Sequence, residues 1–218
     1  MDHIPPETIY ARPLPHPRPS VPACRRCHNV QTSRDDQHFR DTVLNYFRVT
    51  GLPQAQQQLA AMLRGLKDPQ QQKYRAAMTR RLGKAELRTP SGLYLGRRTT
   101  YKMDVPRLDR TGRRYVRGLH SYALGTRLPE DWSVLCMVKP DFLHAYVAHV
   151  GLLFNGRPRV VVQSEVFWYS WLQLDDGRSV WLLVFFDAYP IIGVLYPPGA
   201  APADVASRRD GVASIILL

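Results

Sequence analysis

The stretch from Val166 to Phe186 constrains the fold more than any other. Two runs rich in β-branched and aromatic residues, Val166–Leu174 and Ser179–Phe186, flank Asp175-Asp176-Gly177-Arg178. An Asp-Gly pair between apolar runs permits the backbone reversal of a β-hairpin. Ile191–Leu195 reads as a third antiparallel strand, and Val134–Val138 and Val160–Val162 as shorter strands. Helical spacing dominates earlier in the chain. Phe39, Val43, Tyr46 and Phe47 share one face after a capping residue at Thr32 or Ser33, and Gly51 stops that helix. Pro53 opens a second helix with Leu59, Met62, Leu63 and Leu66, and Asp68-Pro69 a third with Tyr74, Met78 and Leu82. A longer one is expected over Pro106–Tyr122, although Gly112 and Gly118 are poor helix formers, and another over Phe142–Leu153. The expected class is therefore α+β.

Residues 1–33 are of a different kind. Seven prolines, from Pro5 to Pro22, leave neither a helical nor a strand period, so an extended irregular segment is expected. It also holds two of the three cysteines, Cys24 and Cys27, as a Cys-x-x-Cys pair; the third, Cys136, lies in an apolar strand and reads as a core residue. An odd count with this spacing argues against a secreted disulfide framework, and the acidic, proline-rich start lacks the basic and apolar regions of a signal peptide. The cytoplasm is the expected location. The longest apolar runs, broken by Asp187 and Pro190, are too short to span a bilayer.

Thirty Lys and Arg against 18 Asp and Glu make a formal net charge of +12, which favours an anionic partner. Residues 1–90 hold 15 basic and 7 acidic side chains, and residues 91–218 hold 15 and 11, so the stronger anion-binding surface is expected in the first part. Arg25, Arg26, Arg34, Arg80 and Arg81 are the candidate phosphate contacts, since a guanidinium offers a fork of donors to phosphate oxygens. Arg113, Arg114 and Arg117 form either a phosphate track or a solvated helix face.

Three short motifs lie within the first 36 residues: Asp2-His3-Ile4-Pro5-Pro6, Cys24-Arg25-Arg26-Cys27-His28, and Ser33-Arg34-Asp35-Asp36 at a helix start. A carboxylate and an imidazole are what hold a divalent ion on a phosphodiester oxygen, while a second, neutral imidazole takes a proton from water. The Cys pair reads as half of a tetrahedral zinc site, as free buried thiols, as a redox pair, or as a two-Cys site completed by His28 or His16. His120, His144 and His149 read as surface or packing histidines, and Trp168, Trp171 and Trp181 as core or sheet-face packing.

These motifs, in this order, resemble the HNH endonucleases of the ββα-metal type, and more closely a bacterial HNH-like subgroup. The subgroup's pattern, D-H-x-x-P, V-P-x-C-x-x-C-N and S-x-D-[DE]-x-[FY]-[FR], is matched by DHIPP, VPACRRCH and SRDDQHFR. Tyr115-Val-Arg-Gly-Leu-His-Ser-Tyr with Gly125-Thr-Arg-Leu-Pro, and the strands around Phe167-x-Tyr169 and Trp181, are similar to its later boxes. The resemblance implies that Asp2 and His28 are metal ligands, that His3 is the general base, and that Cys24 and Cys27 are half of a structural zinc site. It implies Mg²⁺ or a similar ion as cofactor and DNA as partner. Two departures stand out. In the family a strand bearing a first Cys-x-x-Cys precedes the Asp-His pair, whereas Met1 stands before Asp2, and the Asn expected before the second pair is absent from Arg18-Pro19-Ser20. The expectation is thus a DNA-hydrolysing endonuclease relative that is truncated or inactive; the alternative is a non-catalytic, zinc-containing nucleic-acid-binding protein. The expected organisation is an HNH-like remnant over 1–50, a helical connector over 51–90, an α+β domain over 91–198 and a tail over 199–218.

Overall fold

The computed structural model describes residues 2–10, 12–22, 32–138 and 151–202, with the backbone of 212–216. Helices and antiparallel sheets share the chain, an α+β architecture. It begins with a short hairpin in which β1 (Asp2–His3) pairs with β2 (Ser20–Val21), and Ile4 N–H donates to the Pro19 carbonyl at 2.9 Å to extend the ladder. Helix α1 (Ser33–Leu44) follows, then a single turn α2 (Phe47–Thr50), α3 (Pro53–Gly65) and α4 (Gln72–Arg81). Pro53 starts α3 in the expected place. Asp68 accepts from Gln70 N–H at 2.9 Å ahead of a 3-10 turn that leads into α4.

The apolar faces of these helices are narrower than their spacing predicts. Leu63 is half exposed, and Met62 with Ala55 supplies the buried side of α3. Leu82, aligned with Tyr74 and Met78 in the sequence, has left the helix: its backbone is extended (φ −77°, ψ 136°) and it pairs with Tyr101. There the chain enters β3 (Leu82–Arg88) and turns back as β4 (Tyr94–Asp104), a hairpin that hydrophobic periodicity did not predict. Helix α5 (Val105–Leu124) follows at once. Asp104 caps it by accepting from Arg107 N–H at 3.1 Å, Pro106 sits in its first turn, and Gly125 ends it in the left-handed region (φ 66°).

Beyond α5 lie β5 (Ser133–Met137), β6 (Val160–Gln163), β7 (Phe167–Gln173), β8 (Ser179–Phe185) and β9 (Tyr189–Tyr196), which form an antiparallel sheet in the order β5-β9-β8-β7-β6. The expected hairpin is β7–β8, with Gly177 at φ 84° in its loop. The chain's end, β10 (Val212–Ile216), docks on β4 opposite Thr100–Asp104. Most of the helix expected over 142–153 lies outside the described residues; residues 151–153 are helical.

One face of the five-stranded sheet carries Tyr169, Trp181, Leu183, Phe185, Tyr189 and Ile191, all buried. Phe39 of α1 meets Tyr115, Phe185 and Tyr189 edge-on, at centroid distances of 5.2, 4.9 and 6.2 Å. The glycines explain how α5 comes so close. A Cβ at Gly193 would stand 2.3 Å from a Val116 methyl, and one at Gly118 would stand 1.8 Å from Ile4 Cδ1. Gly118 weakens α5 as a helix by about 1 kcal/mol relative to Ala and in exchange seats the N-terminal hairpin on it. Cys136 is buried in β5, Trp181 is fully buried, and His120 packs between Trp132 and Trp181, as expected for core and packing residues.

Candidate functional site

The hairpin β1–β2 places Asp2 and His3 side by side at the start of the chain, with α1 and α5 beneath them. Ile4 is the anchor: it is 2% exposed and lies against Gly118. His3 Nε2 faces Glu7 Oε1 at 3.3 Å, and Arg18 binds the same oxygen. The Arg18 hydrogen bond holds the Glu7 carboxyl below its usual range, so Glu7 is a fixed anion beside the imidazole. The other ring nitrogen, Nδ1, is buried and has no hydrogen-bond partner. Sequence reasoning singled out His3 but missed Glu7, four residues on, although the acid-imidazole spacing was visible.

Asp2 is also part of a charged group that the sequence did not suggest. Asp36, in the first turn of α1, accepts from Arg114 and, at 3.0 Å, from the Tyr115 hydroxyl. Burial pushes the Asp36 carboxyl up to about 6, and the neighbouring Asp2 charge pushes the same way, against Arg114 and Tyr115. Burial works against the Arg114 charge, but Tyr115, Asp36 and Asp2 outweigh it and hold the guanidinium firmly protonated. The adjacent Asp35 binds Arg107 at 3.1 Å and Arg110 at 3.7 Å. The two acids at the start of α1 thus fasten it to α5, and Arg114 serves an internal ion pair.

Two further buried groups hold α1 in place. His38 Nε2 accepts the Asp104 N–H at 3.1 Å, and burial, with Arg81 and Arg107 nearby, pushes its pKa down to about 3, leaving a neutral ring. Asp41, Arg40 and Tyr74 form a closed triangle linking α1 to α4, with separations of 2.7 to 2.8 Å. Burial raises the Asp41 carboxyl against the opposing pull of Arg40.

The remaining candidate residues are divided. Arg34 and Arg80 are exposed. Arg81 is half-buried and donates to the Tyr101 hydroxyl at 3.1 Å. Cys24, Arg25, Arg26, Cys27 and His28 lie outside the described residues. Among the described residues no group of three or more His, Cys, Asp or Glu side chains is placed to hold a metal ion. The carboxylate nearest in role to Asp2, Asp36, is already engaged by Arg114 and Tyr115. No helix among the described residues is long and apolar enough to cross a membrane.

A cavity of about 790 Å³ opens on the other face of the five-stranded sheet, over Leu182, Val184, Pro190 and Ile192. Arg159 stacks on the Trp168 ring at 4.5 Å, and the Trp168 indole N–H donates to Asp187 at 2.7 Å. Strand alternation puts this cavity on the side of the sheet away from α5, so the Asp2-His3 pair does not share it.

No protein-family model matches the chain, and neither does any curated protein or solved structure.

Proposed function

We propose that this chain is an HNH-like, metal-dependent endonuclease relative that acts on DNA phosphodiester bonds. The observation that carries the reading is the order and seating of β1, β2 and α1. An antiparallel pair bearing Asp2-His3 leads into a helix, the ββα order of the family that the motifs resemble. His3 is the base: its imidazole stands 3.3 Å from the fixed Glu7 carboxylate, which orients it and favours the imidazolium that forms when it takes a proton from water. Asp2 and His28 would hold a divalent ion, which would supply positive charge to the scissile phosphate, and Cys24 and Cys27 would be ligands of a structural zinc. A cytoplasmic location goes with the reduced Cys-x-x-Cys that this reading requires.

The test is supercoiled plasmid incubated with purified protein and Mg²⁺, Mn²⁺ or Ni²⁺, beside His3→Ala and Glu7→Gln. Nicking by the wild type that is lost in His3→Ala and reduced about tenfold or more in Glu7→Gln is the expected result. Nicking that survives His3→Ala overturns the assignment of the base. A second reading, a nucleic-acid-binding protein without cleavage, is favoured by the engagement of Asp36 with Arg114 and by the lack of a metal-holding cluster among the described residues. Salt-dependent retention of DNA with no nicking under any of the three ions selects it.

A further inference from the structure

The 24 residues from Arg80 to Met103 carry seven basic side chains and one acidic one, Glu86, and so contribute half of the net charge of +12. They are the end of α4 and the hairpin β3–β4. Its base is built in: Tyr101 and Met103 are buried, and β10 pairs with β4 from Thr100 to Asp104. Among the described residues, the span from Gly83 to Thr99 is a two-stranded ribbon, and no residue of either strand in that span is buried. Three large apolar residues beside the turn, Leu93, Tyr94 and Leu95, are 64%, 49% and 59% exposed.

The cross-strand register distributes the charges over both faces. Lys84, Glu86 and Arg88 alternate onto one face, with Arg97 opposite Glu86, while Arg98 pairs with Ala85 and points to the other. Glu86 is shared by Arg88 at 3.0 Å and Arg97 at 3.8 Å, so one carboxylate answers two guanidiniums. Among the described residues no carboxylate lies within ion-pair distance of Lys84, Arg98 or Lys102. The face around Arg98 also carries Gly83, Ala85, Leu87, Gly96 and Thr100.

We propose that this ribbon is a duplex-DNA arm that lies in a groove, its cations on the phosphates and its apolar tip against base edges. A strand of seven residues is about 23 Å long. The major groove, about 12 Å wide, admits a two-stranded ribbon with side chains on both faces. The outer edge of β3, unpaired among the described residues, is also a template for pairing with a second copy, but two such edges bring like charges together, which opposes it. The proposal rests on the nucleic-acid partner of the preceding reading and is independent of cleavage.

Binding of the full chain to a fluorescent 24-base-pair duplex is measured by anisotropy between 50 and 200 mM KCl with EDTA present, which separates binding from cutting. Each phosphate contact adds about 0.9 to the slope of log K against log salt. The triple variant Lys84→Ala/Arg97→Ala/Arg98→Ala is expected to lose about 2 to 3 from that slope and to bind at least tenfold more weakly at 100 mM. Its thermal midpoint, followed by circular dichroism, stays within a few degrees of the wild type because the substituted side chains pack against nothing buried. An unchanged slope overturns the arm, as does equal or tighter binding to a single strand of the same length. Dimerisation in light scattering that the triple variant strengthens overturns it in favour of self-association through the β3 edge. A wild type that binds duplex with the expected slope but never nicks plasmid keeps the arm and removes the nuclease; a triple variant that nicks at high protein concentration but has lost affinity keeps both.

Discussion

The five-stranded sheet and the β3–β4 ribbon are built from the same backbone hydrogen bonds and differ in nearly everything else. Trp181, Leu183 and Phe185 alternate along β8 into a face closed by α1 and α5, and each is fully buried. Lys84, Glu86 and Arg88 alternate along β3 into open solvent. The first region holds the molecule together; the second is held up by it, through Tyr101 and Met103 at its base. Burial therefore concentrates in the five-stranded sheet, and exposed charge in the ribbon. A substitution's effect depends on which sheet it enters.

The largest expected effect is in the sheet core. Trp181→Ala removes a ring stacked on Trp171 at 5.4 Å and is expected to destabilise by about 3–5 kcal/mol, read from the urea midpoint. A loss below about 1 kcal/mol breaks the assignment of this face as the load-carrying core.

Next is the pH dependence at the seam between the two regions. Asp36 and His38, two residues apart on α1, are displaced in opposite directions. Between the ordinary Asp value of 3.8 and about 6 the folded chain holds a proton on Asp36 that the unfolded chain has lost, so stability falls as pH rises through that window. Between about 3 and the ordinary His value of 6.5 the unfolded chain holds the extra proton on His38, so stability falls as pH drops. The slopes oppose one another from about pH 4 to 6, each near 1.4 kcal/mol per pH unit. Relative to the wild type, Asp36→Asn should gain about 2–3 kcal/mol in stability on going from pH 4 to 6, and His38→Gln should lose about as much. Two variants with parallel profiles would falsify the opposed pair.

A smaller effect is expected at the contact of α5 with the sheet. Gly193→Ala forces a methyl into the stiff, β-branched Val116 and should cost about 1–3 kcal/mol by thermal unfolding. Adding Val116→Ala should return part of that loss, and a double variant no better than the single would refute the clash as its cause. The smallest effect is in the ribbon: Arg98→Ala should change the unfolding free energy by less than about 0.5 kcal/mol. A larger loss means that the ribbon packs on something and is no free arm.

The same contrast accounts for what could be read before folding. The sheet and α5 were legible because burial on one face writes a period of two or of 3.6 into the sequence, and the turn at Asp176-Gly177 marks the reversal. Nothing writes such a period into a ribbon exposed on both faces, so Leu82–Asp104 passed as the end of a helix and a mixed stretch. The charge was counted but divided at residue 90, between Arg88 and Arg97, which the fold puts on one face. At the candidate site the Asp2-His3 pair was visible as a motif. Its partners Glu7 and Arg18, and the pairing of Asp36 with Arg114 from 78 residues away, were not, since an ion pair between distant positions leaves no local pattern.

By itself the sequence determined the α+β class, the starts of α1 and α3, the course of α5, the β7–β8 hairpin and the adjacency of an acid to His3, because each follows from side-chain periodicity, turn chemistry or covalent order; the helix expected to run on to Gly51 instead ends at Leu44, and Tyr46 is extended before the single turn α2. Only the tertiary structure decided that Gly118 and Gly193 are points of close approach, that Asp36 and His38 are buried with opposite consequences for protonation, and that the residues from Arg80 to Met103, which carry half of the net charge, are the end of one helix and the hairpin that follows it. Each of these depends on which surfaces meet and which stay in water, and that is a property of the packed chain.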